Sequence, residues 1–132
     1  MGKGQSFLSE FDTTSRGKLR HLNVVISNPD SENNVLVVPV CTYYENNGRP
    51  LPMQDDSCVL PADCHPFTKH KSFVLYSRAR AVNLVAIFND LQKGRIIRKE
   101  DFSDVYVQNM QRGAELMRKL PSKLKRFFEF FL

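Results

Sequence analysis

The sequence has few of the residues that mark a secreted, membrane-spanning or disulfide-stabilised protein. It contains three cysteines (Cys41, Cys58 and Cys64), and their odd number and irregular spacing indicate reduced thiols. No apolar run approaches the length of a membrane span, and the N-terminus lacks the apolar core of a signal peptide. We find no internal repeat and no low-complexity tract. We therefore expect one cytoplasmic domain that does not span a membrane and for which a membrane is not the favoured partner, large enough at 132 residues for a modest core.

Acidic residues are scarce in the last part of the chain. Up to Gln92 there are nine basic and nine acidic residues, whereas from Lys93 onward there are ten basic and five acidic ones. This second part supplies the whole net charge of +5. A basic excess of this kind suggests an anionic partner, which could be nucleic acid, an acidic protein segment or a membrane surface.

The first half of the chain has the pattern of short strands. Residues 1–17 are rich in Gly, Ser and Thr and predict a flexible N-terminal arm. Two apolar runs at 21–27 and 35–44, separated by a polar turn, predict a β-hairpin. Because Pro39 cannot donate to a ladder, we expect an edge or a bulge at that point. A long polar loop at 45–56 and a short strand at 57–60 follow.

The C-terminal third changes to a helical period. After a short strand at 95–98, one apolar stripe predicts an amphipathic helix that ends at Pro121; its members are Phe102, Tyr106, Met110, Gly113, Met117 and Leu120. We therefore predict a mainly β protein with a C-terminal helix. Residues 18–120 would form a small antiparallel barrel or strongly bent sheet with the helix packed on it.

Residues 121–132 form a basic and aromatic helix or tail with three possible roles. Its four phenylalanines could cover the protein's own core or a dimer seam, dock a partner, or lie in a membrane interface as part of an adaptor.

Reactive side chains are densest between Asp63 and Arg80. Residues 72–82 favour a single strand, in which alternate side chains share a face. Residues 84–91 would extend that strand or begin a helical turn. One face of the strand would carry hydroxyl, phenol and guanidinium groups directly after His70, a row that suits a phosphate-bearing ligand; it consists of Ser72, Tyr76, Arg78 and Arg80.

Zinc binding is a rival interpretation of this region. Cys58, Cys64, His65 and His70 are four suitable ligands, but five residues separate the cysteines, and His65 directly follows Cys64. Structural zinc sites normally use paired ligands two to four residues apart. We therefore predict no metal and no cofactor.

Three segments resemble the MazF/PemK-like toxins of bacterial toxin–antitoxin systems. His-Leu-Asn-Val-Val-Ile-Ser-Asn-Pro from His21 is similar to the family's Arg-Pro-x-Val-Val-Ile-Ser block. Val-Val-Pro-Val-Cys-Thr from Val37 is similar to its Val-x-Pro-x-Thr-Thr block. His-Lys-Ser-Phe-Val-Leu-Tyr-Ser-Arg-Ala-Arg from His70 is similar to its third block. The similarity covers about residues 18–120 and includes Lys93-Gly94-Arg-Ile and the terminal helix by position.

The resemblance implies an SH3-like barrel that forms a homodimer and cuts single-stranded RNA without metal, through attack by the ribose 2′-hydroxyl. It also implies an antitoxin whose acidic, flexible tail masks the site. The family's catalytic Arg falls on His21, with Arg20 beside it, and its catalytic Thr falls on Cys41 or Thr42. Either the chemistry has been redistributed here, or this branch kept the fold as a non-catalytic nucleic-acid-binding or protein-interaction module.

Metal-free cleavage of RNA needs a base, an acid and cations that stabilise the phosphorane. Histidine titrates near neutral pH, so His21, His65 and His70 are the acid–base candidates. Arg78 and Thr42 complete the predicted catalytic set; the predicted RNA-binding residues are Lys69, Lys71, Ser72, Tyr76, Arg80 and Arg20. His65 could instead be a turn residue beside Pro66, and Arg78 and Arg80 could form structural ion pairs.

Overall fold

The structure is a computed structural model, and it is mainly β, with a seven-stranded antiparallel sheet, a second sheet of two short strands and several helices. It describes residues 2–14, 17–52, 54–118 and 120–132, and their side chains outside residues 10–20. The elements, in chain order, are β1 (Ser6–Thr14), β2 (Gly17–Val25), β3 (Asn34–Thr42), β4 (Glu45–Asn46), β5 (Arg49–Pro50), β6 (Val59–Leu60), β7 (Ser72–Val74), a 3-10 turn (Tyr76–Arg78), β8 (Arg80–Asn83), α1 (Leu84–Gln92), β9 (Ile97–Lys99), α2 (Asp104–Leu116) and a C-terminal 3-10 helix (Ser122–Phe130).

The sheet has seven strands in the order β6-β7-β3-β2-β1-β9, with β8 also paired to β3. Every pairing is antiparallel. The predicted hairpin is confirmed as β2 and β3, in which Leu22 lies opposite Val40 and Val25 opposite Val37. Between the residues that the structure describes, the pairings follow an open path from β6 to β9.

Strand β3 is at the centre of the molecule and is buried on both faces. Leu36, Val38 and Val40 join the larger core, which α2 and the C-terminal 3-10 helix cover. Val35 and Val37 join a second core with Ile87 of α1. Burial on both faces explains why β3 is a continuous apolar run instead of an alternating one.

Pro39, where the sequence predicted an edge or a bulge, lies within this central strand. The residues of β3 before Pro39 pair with β8, and those after it pair with β7. The Pro39 carbonyl accepts from Leu75 N at 3.0 Å, so the proline faces the interval between the two partner strands. The missing N–H of proline is tolerated because the ladder is interrupted there.

The single strand predicted for residues 72–82 is wrong. The segment forms β7, then the 3-10 turn Tyr76–Arg78, then β8. The turn places Tyr76 in the core, where its hydroxyl donates to Met110 O at 2.7 Å, while Arg78 is exposed. The predicted row on one face therefore does not exist.

The loose arm predicted for residues 1–17 is also wrong over most of its length, because Ser6–Thr14 forms β1. This strand pairs with β2 on one side and with β9 on the other. Phe7 and Leu8 are buried in the two cores. The pairing gives β1 backbone hydrogen bonds that its polar composition does not reveal.

The predicted C-terminal helix is confirmed as α2, although it ends at Leu116, before the predicted boundary at Pro121. Segment 84–91 is helical, as α1. In the C-terminal 3-10 helix and after it, Leu124, Phe127 and Phe131 are buried in the larger core, which confirms that this segment covers the protein's own core. Across the described residues, no helix is both long and apolar enough to cross a membrane.

Candidate functional site

A cavity of about 580 Å³ opens where β2 ends its pairing with β3. We call it the cleft. Its polar lining comes from β2, from the end of β3 and from the loop that follows; the lining residues are His21, Leu22, Val40, Cys41, Thr42, Tyr44, Leu51, Pro52, Gln54, Phe67 and Phe73. Its size is in the range of ordinary ligand pockets.

A side pocket of about 190 Å³ adjoins the cleft. The two cavities share five lining residues, Leu22, Val40, Cys41, Thr42 and Phe67. The side pocket adds the residues that precede and begin β7, namely Thr68, Lys69, His70 and Ser72. Five of the residues predicted from the sequence, His21, Thr42, Lys69, His70 and Ser72, therefore line one continuous depression.

Sheet register brings these residues together. Cys41 lies opposite Phe73 and Thr42 opposite Ser72, which places the end of β3 beside the start of β7. Strand β1 pairs with the edge of β2 that faces away from β3. There Ser9 lies opposite His21, and the register shifts immediately beyond, between Ser9 and Asp12. Such irregularities re-aim side chains and are frequent next to functional sites.

Ser72 acts on the backbone of His70. It is 3% exposed, and its hydroxyl donates to His70 O at 2.9 Å. Ser72 is therefore less accessible to RNA than predicted. His70 and Lys69, in contrast, are exposed at the rim. Ser72 fixes the direction in which the chain presents them.

His65, one of the predicted acid–base residues, is buried and does not line the cleft or its side pocket. It is 2% exposed, and its ring stacks on Phe102 with a centroid distance of 4.4 Å. Its Nε2 donates to Glu100 O, and its Nδ1 accepts from Phe67 N at 3.0 Å. Both ring nitrogens are engaged inside the protein, so neither is available to a substrate.

This buried histidine holds the loop that carries Phe67, Lys69 and His70. Asp63 N donates to Thr68 O at 3.0 Å, and Thr68 N donates to His65 O at 3.0 Å. The Thr68 hydroxyl lies 3.3 Å from Cys64 Sγ. The loop is therefore closed by its own hydrogen bonds and joined through His65 to Glu100, the residue after β9, so that it forms a fixed wall of the cleft.

Exposed aromatic side chains flank the cleft, and sequence reasoning missed them. Tyr44 is 60% exposed and Phe67 is 43% exposed. Gln54 fixes the first of these, since its side chain accepts from Tyr44 N at 2.6 Å and donates to Tyr44 O at 2.8 Å. The signals available in the sequence were Phe67, two residues before Lys69, and the Tyr43-Tyr44 pair at the end of an apolar run.

Cations lie close to aromatic rings at the rim. Lys99 Nζ is 5.6 Å from the centroid of Phe67, and Lys71 Nζ is 4.7 Å from that of Tyr43. Lys71 is also paired with Glu45 at 2.7 Å, and this hydrogen bond raises the pKa of its ammonium. Lys71 therefore stays positively charged, but the carboxylate of Glu45 partly neutralises that charge.

The remaining predicted residues lie away from the cleft or outside the described side chains. Tyr76 is buried under α2, and burial raises the pKa of its phenol, so it cannot contact a substrate. Arg78 lies on the 3-10 turn, and Arg80 begins β8, where its Nη2 donates to Asn23 Oδ1 at 3.0 Å. Arg20 falls among the residues whose side chains are not described.

The thiols and the possible metal ligands do not converge. Burial raises the pKa of Cys58 to about 11, and burial also raises that of Cys64. His65, part of the zinc set considered above, is fully engaged within the loop. Within the described part of the chain, no three His, Cys, Asp or Glu side chains group together.

No protein-family model matches the chain, and no curated protein is significantly similar to it.

Proposed function

We propose that the protein is a metal-independent endoribonuclease that cleaves single-stranded RNA at the cleft through attack by the ribose 2′-hydroxyl. One observation carries the proposal: two histidines from distant parts of the sequence, His21 and His70, line contiguous cavities together with Thr42 and Lys69. A base, an acid, a hydroxyl donor and a cation are the groups that this reaction needs.

In the proposed reaction, one histidine takes the proton of the 2′-hydroxyl. The 2′-oxygen then bonds to the adjacent phosphorus, and the bond from phosphorus to the 5′-oxygen breaks. The other histidine gives its proton to the leaving 5′-oxygen. The products are a 2′,3′-cyclic phosphate and a 5′-hydroxyl, with no change in oxidation state. Thr42 and Lys69 stabilise the non-bridging oxygens as charge builds on them.

The aromatic rim supports single-stranded RNA as the substrate. Tyr44 and Phe67 expose ring faces at the cleft, and unpaired bases stack on such rings. Base stacking contributes about 1–3 kcal/mol per base and needs little sequence specificity. Lys99 adds positive charge beside the Phe67 ring, and Lys71 does so beside the ring of Tyr43, the residue before Tyr44.

The biological class we propose is the toxin of a toxin–antitoxin pair, of the MazF/PemK-like type. The bent sheet would then be an SH3-like barrel, and the active unit would be a homodimer in the cytoplasm. An antitoxin with an acidic flexible tail would mask the cleft. The resemblance of the three sequence blocks supports this class, and two of its positions, His21 and Thr42, line the cleft.

The test is a cleavage assay on mixed single-stranded RNA in EDTA. The parent protein is compared with His21→Ala, His70→Ala and Thr42→Val, and Arg78→Ala serves as a cationic control outside the cleft. We expect the parent to leave 2′,3′-cyclic ends. Each histidine variant should lose at least about 100-fold in rate, as is usual for a general acid or base, and Arg78→Ala should keep its rate.

Two results would reject the proposal. Cleavage that EDTA abolishes would show a metal-dependent reaction. RNA binding without cleavage by the parent would favour the alternative, a non-catalytic nucleic-acid-binding module of the same fold. Binding is measured in parallel by fluorescence anisotropy, so that loss of chemistry and loss of affinity are separated.

A further inference from the structure

A second cavity, of about 380 Å³, lies between β8 and the C-terminal 3-10 helix. We call it the basic pocket. Three of its six lining residues carry positive charge, and the other three are small or aliphatic; the six are Ala79, Arg80, Ala81, Lys123, Leu124 and Arg126. Among the side chains that the structure describes, no acidic one lines it. Such a cavity attracts an anion.

The two guanidinium groups are held in place by neighbours. Arg80 Nη2 donates to Asn23 Oδ1 at 3.0 Å. Arg126 lies over the Phe127 ring, with Cζ 5.0 Å from its centroid. Arg126 Nη2 lies a long 3.9 Å from Asp30 Oδ2, and the other oxygen of Asp30 already accepts from Glu32 N and Asn34 N. Arg126 therefore keeps donors for a ligand.

The basic pocket is connected to the cleft. Asn23, whose Oδ1 binds Arg80, donates through Nδ2 to His21 O at 2.9 Å. Arg80 also lies opposite Val37 of β3, the strand that ends at Thr42 in the cleft. Five residues of extended strand span about 17 Å, a distance that an extended RNA strand covers within a few nucleotides.

We infer that the basic pocket binds a phosphodiester group of the RNA strand whose scissile bond lies in the cleft. The inference rests on the proposed function. Guanidinium forks match the planar spread of phosphate oxygens, and an ammonium adds a point charge. Because backbone phosphates carry no base identity, this contact would raise affinity for every sequence and fix the register of the strand in the cleft.

The experiment measures binding of RNA that cannot be cut. A 2′-O-methyl oligonucleotide of about 12 residues is titrated into the parent, the double variant Lys123→Gln/Arg126→Gln, and Lys125→Gln. Lys125 is the matched control, because it is exposed on the same 3-10 helix and does not line the pocket. Each titration is repeated at several salt concentrations.

We expect the double variant to bind about tenfold more weakly. We also expect its salt dependence to be shallower by about 0.7, since the pocket holds one phosphate and each phosphate contact to a single strand contributes about 0.7 to the slope. Lys125→Gln should match the parent. Equal affinity in the double variant, or an equal loss in Lys125→Gln, would overturn the inference.

Two further arms separate the possible ligands. Binding of inorganic phosphate or of an acidic peptide that depends on Lys123 and Arg126, with RNA binding unaffected by them, would reject RNA as the ligand. Because the oligonucleotide is not cleavable, the result is independent of catalysis. Failure of the ribonuclease proposal would appear as no cleavage by the parent, and failure of this inference as unchanged binding in the double variant.

Discussion

The guanidinium of Arg80 and the backbone carbonyl of His21 are joined by a single side chain. Asn23, which is 1% exposed, accepts from Arg80 Nη2 at 3.0 Å and donates to His21 O at 2.9 Å. Asn23 therefore braces the strand that carries one histidine of the cleft and, at the same time, orients a cation of the basic pocket. A polar side chain that is buried at such a position lowers stability unless its hydrogen bonds are made.

Replacing Asn23 with Ala should weaken both the fold and the proposed reaction. We expect a loss of about 1–3 kcal/mol in the free energy of unfolding, because buried partners are left unsatisfied. We also expect kcat/KM for RNA to fall by about tenfold or more as His21 shifts, since small misplacements of reacting groups are costly. Urea denaturation and steady-state kinetics measure the two effects. Asn89→Ala, an exposed position on α1, is the control, and wild-type activity in Asn23→Ala would contradict the role of the brace.

Substitution of His65 should lower stability, whereas substitution of His70 should abolish cleavage. His65→Ala removes a buried stack on Phe102 and two hydrogen bonds of the ring, and should cost about 2–4 kcal/mol of stability. His70→Ala changes an exposed side chain and should stay within about 0.5 kcal/mol of the parent while losing cleavage. Chemical denaturation of both variants tests this assignment. A His70 variant as unstable as the His65 variant would show that His70 is structural.

Gly113 should not tolerate even a methyl group. A Cβ built there would lie 2.3 Å from the Tyr76 hydroxyl oxygen and 3.2 Å from Cys58 Cβ. In an exposed helix Gly→Ala stabilises by about 1 kcal/mol, but here we expect a net loss of about 1–3 kcal/mol from overpacking. The exposed Gln108→Ala on the same helix should be neutral.

Tyr76→Phe provides the test of that contact. It removes the hydroxyl that the new methyl would strike, so Gly113→Ala should cost at least about 1 kcal/mol less in the Tyr76→Phe background than in the parent, a coupling typical of residues in contact. Thermal or urea denaturation of the four proteins gives the coupling energy. Additive costs would mean that α2 moves away from Tyr76 without resistance.

Stability should fall at alkaline pH. Burial raises the pKa of Cys58 from 9.0 to about 11, and burial raises that of Tyr76 as well. The folded state therefore holds these protons more tightly than the unfolded chain, so the stabilisation is complete below about pH 9 and is lost as pH rises through 11. Urea midpoints from pH 7 to 11 should decline above pH 9 and decline less steeply in Cys58→Ala. A flat profile would contradict the burial of these groups.

Local sequence patterns correctly predicted the elements that depend mainly on residues close together in the chain. The β2–β3 hairpin and α2 follow from apolar periodicity and a nearby turn, and the apolar C-terminal segment packs on the core as its composition allows. Of the predicted site, His21, Thr42, Lys69 and His70 meet at one depression.

The errors arise from contacts between distant residues. Tyr76 lies in a 3-10 turn instead of a strand because its hydroxyl donates to Met110 O, 34 residues away in sequence. Gly113, which has no side chain, leaves room for the tyrosine ring. His65 is buried because Phe102 and Glu100 O meet it from beyond β9. Strand β1 forms although its composition is polar, because β2 and β9 flank it. Side-chain alternation and composition carry no information about such partners.

The central claim, that the cleft supports 2′-hydroxyl attack on RNA, is tested most directly by one substitution in the substrate. After a cleavage site has been mapped in EDTA, the nucleotide on its 5′ side is replaced by the 2′-deoxy form and the rate at that bond is measured. The account predicts no cleavage there and normal cleavage elsewhere. His70→Ala should be inactive on both the all-ribose RNA and the 2′-deoxy-substituted RNA. Unchanged cleavage at the 2′-deoxy position would contradict the mechanism, because no 2′-oxygen would be present to attack.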